Sequence, residues 1–176
     1  IQQDFLDIYF MSPHGIEQYE GNSYGYQWFS LRDRENAVLQ RELTRATPQV
    51  LALIEVKLKE LSLEWKDVVL VGFSQGAMLA LYLTLLHSQK FSSTIAIAGA
   101  LITPAQLPSY LSKTPICLIH GSEDQVLHPE NLLTAEKKLT SLNFPVEAHK
   151  IDNLGHSINV KVIELLKSFI VKNAYF

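Results

Sequence analysis

Short apolar, β-branched runs recur along this chain between stretches whose apolar residues follow helical spacing. That alternation is the pattern of βαβ units, in which parallel strands are buried on both faces and joined by crossover helices. The strand runs are Leu6 to Met11, Val68 to Phe73, Thr94 to Ala98, Pro115 to His120 and Val146 to Ile151, most of them ending at Gly, Ser or Pro. The expectation is an α/β fold with a mostly parallel central sheet of five strands and helices on both faces. Thr47 is placed to cap a helix with Pro48 at its first position, followed by Val50, Leu51, Ile54, Leu58 and Leu61 on one face. Further helices are predicted over Gln75 to His87, Glu130 to Leu142 and Asn159 to Lys172, the last with Val162, Leu166 and Phe169 on one stripe. The segment Arg32 to Arg45 mixes both charges at helical spacing and reads as a solvated helix. A length of 176 residues fits one domain spanning 1–176, with no internal repeat or linker. The gaps between strands hold single helices and leave no room for a large cap domain.

Composition removes whole classes of function. With 15 Lys+Arg against 18 Asp+Glu, the net charge is −3 and no basic stripe exists to neutralise phosphates, so nucleic acid is not the expected partner. No run approaches the ~18 apolar residues that cross a bilayer, and the residues that follow Ile1 do not have the basic, apolar, small-residue order of a secretory leader. The single cysteine, Cys117, lies inside the apolar run Ile116 to Ile119. It reads as a buried structural thiol in a reducing, cytoplasmic setting. No His or Cys pair has metal-ligand spacing backed by local structure, so neither metal nor cofactor is expected.

Chemistry concentrates at Gly72-Phe73-Ser74-Gln75-Gly76, a G-x-S-x-G pentapeptide set between the strand run ending at Phe73 and the helical run Ala77 to Leu81. A strand that turns sharply into a helix holds such a serine in a strained backbone conformation, and the flanking glycines let strand and helix approach. The hydroxyl of Ser74 is a weak nucleophile that needs a base, while the Gln75 N–H at the helix start points toward a developing oxyanion. In the order Ser, acid, His, two more residues are required at the ends of later strands. Asp124, in His120-Gly121-Ser122-Glu123-Asp124-Gln125-Val126, follows the fourth strand run, with Glu123 as its adjacent competitor. Six histidines compete for the base. His149 falls inside a strand and His87 near a helix end, and His14, His120 and His128 sit among turn residues. His156, in Asn153-Leu154-Gly155-His156-Ser157, lies between the last strand and the last helix, where the base belongs.

The stretch Val69 to Met78 resembles the nucleophile region of the phospholipase/carboxylesterase family of α/β-hydrolases, which includes acyl-protein thioesterases and small serine esterases. His120-Gly121 with Asp124 and Val126 resembles its acid loop, Gly155-His156-Ser157-Ile158 its base loop, and Ser12-Pro13-His14-Gly15 with Gln27-Trp28-Phe29 a segment after an early strand. The resemblance implies a two-step hydrolysis of a carboxylic ester or thioester by Ser74, His156 and Asp124, with Gln75 N–H holding part of the oxyanion. It also implies a small-molecule or lipid-like acyl substrate in an apolar groove, around which Trp28, Phe29, Val126 and Leu127 are expected. One departure stands out. The family carries a strand ending in a His-Gly-x-Gly type turn that supplies a second oxyanion donor, and this sequence has no such turn. The expectation is that an N-terminal strand and its turn are missing from the sequence. The competing reading is a catalytically impaired hydrolase-fold protein that binds an acyl ligand or partner; a peptidase of the same fold would need a recognition domain that is not evident.

Overall fold

The computed structural model describes Phe5 and residues 7–173. A two-stranded antiparallel hairpin, β1 (Glu17–Gln18) and β2 (Tyr26–Gln27), precedes α1 (Asn36–Leu61). Then follow β3 (Val69–Phe73), α2 (Gln75–Leu86), β4 (Ser93–Ile97), β5 (Ile116–Gly121), α3 (Glu130–Ser141), β6 (Val146–Ile151) and α4 (Val160–Asn173). β3 to β6 form one parallel sheet in the order β3-β4-β5-β6, in register Gly72↔Ala96, Ala96↔Leu118 and Leu118↔Ala148.

Both faces of the sheet are covered, as the continuous apolar strands require. On one face, Leu132, Ala135 and Leu139 of α3 and Leu81 and Leu85 of α2 pack on Ala96, Ile116 and Leu118, and α1 lies beyond α2. On the other, Val162, Leu166, Phe169 and Ile170 of α4 cover Ile95, Ile97, Cys117 and Ile119. The thiol of Cys117 is pushed up to about 12 by burial, with the Glu147 carboxylate adding to the shift, so it is inert as a nucleophile at neutral pH. Among the described residues no helix is long and apolar enough to cross a membrane.

Two sequence expectations are corrected. Thr47 does not cap a helix: α1 starts at Asn36 and passes through Pro48 without interruption. The Thr47 hydroxyl instead donates to Leu43 O at 2.8 Å, inside the helix. A proline there costs about 3 kcal/mol, which is offset because Leu39, Leu43, Ala46, Val50, Ile54 and Leu58 make one buried stripe spanning both sides of it. The solvated helix expected over Arg32 to Arg45 is therefore the first part of the same element, beginning four residues later.

The second correction concerns the first strand. Leu6 lies outside the described residues, and Asp7 to Met11 form no strand. A strand exists by its ladder, and this segment forms none. Val68 O accepts from Ser92 N–H and Ser74 N–H donates to Ile97 O, so positions 68, 70, 72 and 74 face β4 and the N–H and C=O groups of Val69, Val71 and Phe73 face outward. Beyond them lies a cavity of about 470 Å³ whose lining includes Tyr9 and Phe10 as well as Val69 and Val71. Among the described residues the sheet has four strands rather than five.

Candidate active site

Ser74 occupies the turn between β3 and α2 with φ 53° and ψ −115°, a region that costs a non-glycine residue about 1–3 kcal/mol. Surrounding contacts impose it. Ser74 N–H donates to Ile97 O at 2.9 Å as the last rung of the β3–β4 ladder, while its C=O already accepts from Ala77 and Met78 as the first turn of α2. Gly72 makes the tight turn possible, because a Cβ there would stand 2.2 Å from Gly76 O and 2.5 Å from Ala77 N. Gly76 carries no such constraint: the nearest atom to an added Cβ is Trp28 Nε1 at 4.0 Å. The sequence reading assigned the close approach to both glycines, whereas only Gly72 makes it.

Asp124 and His156 come from loops after β5 and β6, and backbone contacts lock those loops together. Ser122 N–H donates to Ile151 O and Glu123 N–H to Leu154 O, while the Ser122 hydroxyl accepts from Asn153 N–H. Gly121 lies so close to the second loop that a Cβ would meet Leu154 O at 2.1 Å. Thus held, His156 Nδ1 lies 2.7 Å from Asp124 Oδ2 and its Nε2 lies 2.9 Å from Ser74 Oγ. An anionic carboxylate only accepts, so the imidazole carries its proton on Nδ1 and leaves Nε2 to accept from the serine hydroxyl. The Phe73 ring lies 4.8 Å from the imidazole ring and shields one side of it.

Asp124 has no exposed side-chain surface. Burial by itself raises its pKa, but the hydrogen bond from His156 and the backbone N–H groups of Leu127 and Val126 outweigh it and hold the carboxyl below its usual range. Both N–H groups donate to Oδ1 at 2.9 Å. A carboxyl depressed in the folded state adds stability that is complete above its unfolded value of about 3.9 and fades as pH falls through the folded value. Asp124→Asn is therefore expected to be less stable than wild type in urea at pH 7, with the gap closing as the pH is lowered below about 4. A gap that stays constant from pH 7 to pH 3 would contradict this.

The other predicted residues are placed as follows. The Gln75 N–H lies at the first position of α2, where backbone donors have no intrahelical acceptor. The Gln75 side chain has a role the sequence did not reveal: Oε1 accepts from Trp28 N–H at 2.7 Å and Nε2 donates to Phe29 O at 2.6 Å, tying that segment to the serine turn. Trp28 is half-buried beside Gly76. Phe29 is corrected: it is wholly buried in the core between α1 and α2 and walls no open groove. Val126 is half exposed and Leu127 packs partly on that core, just past Asp124. Glu123 is exposed. Of the other histidines, His87 stacks on Phe91, His14 leans on Tyr26, His128 lies near Glu130 and His149 near Glu147. His120 alone among them reaches the site.

The phospholipase/carboxylesterase family profile matches residues 1–174. Esterase YpfH of Escherichia coli is 31% identical over 156 residues, covering 88% of this chain and 66% of that protein. Acyl-protein thioesterase 1 of Aspergillus fumigatus is 30% identical over 112 residues, 60% of this chain and 46% of that protein. The chain thus spans about half to two thirds of the length of these curated relatives. The crystal structure of esterase PE8 superposes with a TM-score of 0.84 at 30% identity, over 92% of this chain and 76% of that one. Arabidopsis thaliana SOBER1, at 22% identity and a TM-score of 0.77, shares the fold. With its parallel sheet, its serine at a strained strand-to-helix turn and a profile match over almost its whole length, the chain belongs to the phospholipase/carboxylesterase family of α/β-hydrolases.

Proposed function

We propose that the chain is a serine hydrolase that cleaves carboxylic esters or thioesters through an acyl-enzyme. The observation that carries this reading is the unbroken line from Ser74 Oγ through His156 to Asp124, at 2.9 and 2.7 Å. Ser74 Oγ attacks the acyl carbon while its proton passes to His156 Nε2, and Asp124 steadies the resulting imidazolium. The carbonyl oxygen becomes an oxyanion held in part by Gln75 N–H, at the positive end of α2. The imidazolium returns its proton to the departing alkoxide or thiolate, which leaves an ester on Ser74. Water then attacks that ester, His156 takes its proton, and transfer of the proton back to Ser74 frees the acid. Trp28, Val126 and Leu127 flank the acyl group, and the names of the relatives, esterase and acyl-protein thioesterase, fit an acyl ester or thioester as substrate.

Intact mass before and after a fluorophosphonate, with peptide mapping, tests the reading. One phosphonyl group per chain on Ser74, and none in a chain unfolded beforehand, is the expected result. A folded chain that takes up no reagent would instead favour a protein that binds without turnover.

A further inference from the structure

We propose that His120 is a positioning residue for Asp124, an inference that rests on the serine-hydrolase reading. β5 alternates its faces, so His120 shares the side of Ile116 and Leu118 that packs beneath α2 and α3, and its side chain is 2% exposed. A buried imidazole must find partners. His120 Nε2 lies 2.8 Å from Leu127 O, and because a carbonyl only accepts, the proton sits on Nε2. The same nitrogen lies 3.2 Å from Asp124 Oδ2, the oxygen bonded to His156.

The arrangement closes a loop of contacts around the acid. Leu127 is held at both ends of its residue, its N–H by Asp124 Oδ1 and its C=O by His120. The Asp124-to-Leu127 turn is thereby tied to strand β5, and the His120 Nε2–H group lies within 3.2 Å of Oδ2. Without that tie the turn can shift and the carboxylate can rotate about its Cβ–Cγ bond, carrying Oδ2 away from His156 Nδ1. His120 cannot take the base's place, since its Nε2 proton is committed to Leu127 and its ring is sealed from substrate.

Three variants test the proposal: His120→Gln, whose amide nitrogen reaches the Nε2 position, His120→Asn, whose amide nitrogen stops near the Nδ1 position, and His120→Leu. With p-nitrophenyl butyrate, Gln is expected to keep kcat within about threefold of wild type, while Asn and Leu lose about 10–100-fold with KM nearly unchanged, the scale set by a small misplacement of a reacting group. The proton NMR signal of His156 Nδ1–H, bonded to Asp124, should persist in Gln and weaken or vanish in Asn. Full activity in Asn, or an equal fall in Gln and Asn, overturns the proposal. If Leu fails to fold, the Gln and Asn pair decides, since both place a similar amide in the same buried site. Failure of the wider reading is recognised separately, as a wild-type chain without Ser74-dependent turnover, and the NMR comparison then still reports what His120 does to Asp124.

Discussion

Ser74→Ala is expected to lower ester turnover by about 10³-fold or more, while thermal unfolding stays close to that of wild type. The hydroxyl is the attacking atom in the proposed reaction, and among the described residues it is the hydroxyl bonded to His156 Nε2. In the fold its oxygen bonds only His156, so its removal costs little stability. Ala inherits the same strained backbone at φ 53° and gains nothing from it. Ser74→Gly separates the two effects. Glycine reaches positive φ without a Cβ clash, so this variant should be equally inactive and more stable by about 1 kcal/mol. Such an outcome would identify the strain as the consequence of holding a nucleophile at this turn. Activity in Ser74→Ala within tenfold of wild type would remove the serine from the mechanism.

Gly72→Ala should produce a large loss of stability from one methyl group. The new carbon would meet Gly76 O, Gly76 C and Ala77 N at 2.2, 2.3 and 2.5 Å, all backbone atoms of the first turn of α2. None can rotate away as a side chain can. Relief requires α2 to move off β3, against the packing of Leu79, Leu83 and Met78 on α1 and of Leu81 and Leu85 on the sheet side. A destabilisation of at least about 3 kcal/mol follows, lowering Tm by roughly 6–12 °C for a domain of this size. Any molecules that remain folded should also lose activity, because the displaced helix carries Gln75 N–H away from the carbonyl. Gly76→Ala provides the contrast, since its nearest new neighbour is 4.0 Å away. Its Tm should hold or rise slightly, as alanine favours a helix over glycine. Equal Tm values for the two variants would show that the close approach at Gly72 is not a constraint.

These two glycines show where legibility in the sequence ended. Both flank the serine in the same motif, yet only a three-dimensional distance tells which one the helix presses against. Pro48 is a similar case. Locally it reads as a helix start, and the buried apolar stripe on both sides of it overrode that preference. His120 was hidden for another reason. Its neighbours in sequence made it look like a turn residue, although the period-two parity with Ile116 and Leu118 already assigned it to a buried face, where a polar ring must be satisfied. Phe29 shows the reverse error, an aromatic assigned to the groove by resemblance whose ring belongs to the core.

The sequence by itself determined the α/β class, four of the parallel strands, the serine at a strand-to-helix turn, and the candidate acid and base, because periodicity, punctuation and chain order are local or one-dimensional properties. Tertiary structure alone decided the rest. Whether Asp7 to Met11 form a strand depends on pairing with a neighbour, and among the described residues only β4 pairs with β3. Whether Ser74, His156 and Asp124 touch depends on two loops locked together by Ser122, Glu123 and Asn153. Hydrogen bonds between residues distant in sequence form only where packing brings their backbones within about 3 Å of each other, and no local pattern encodes that distance.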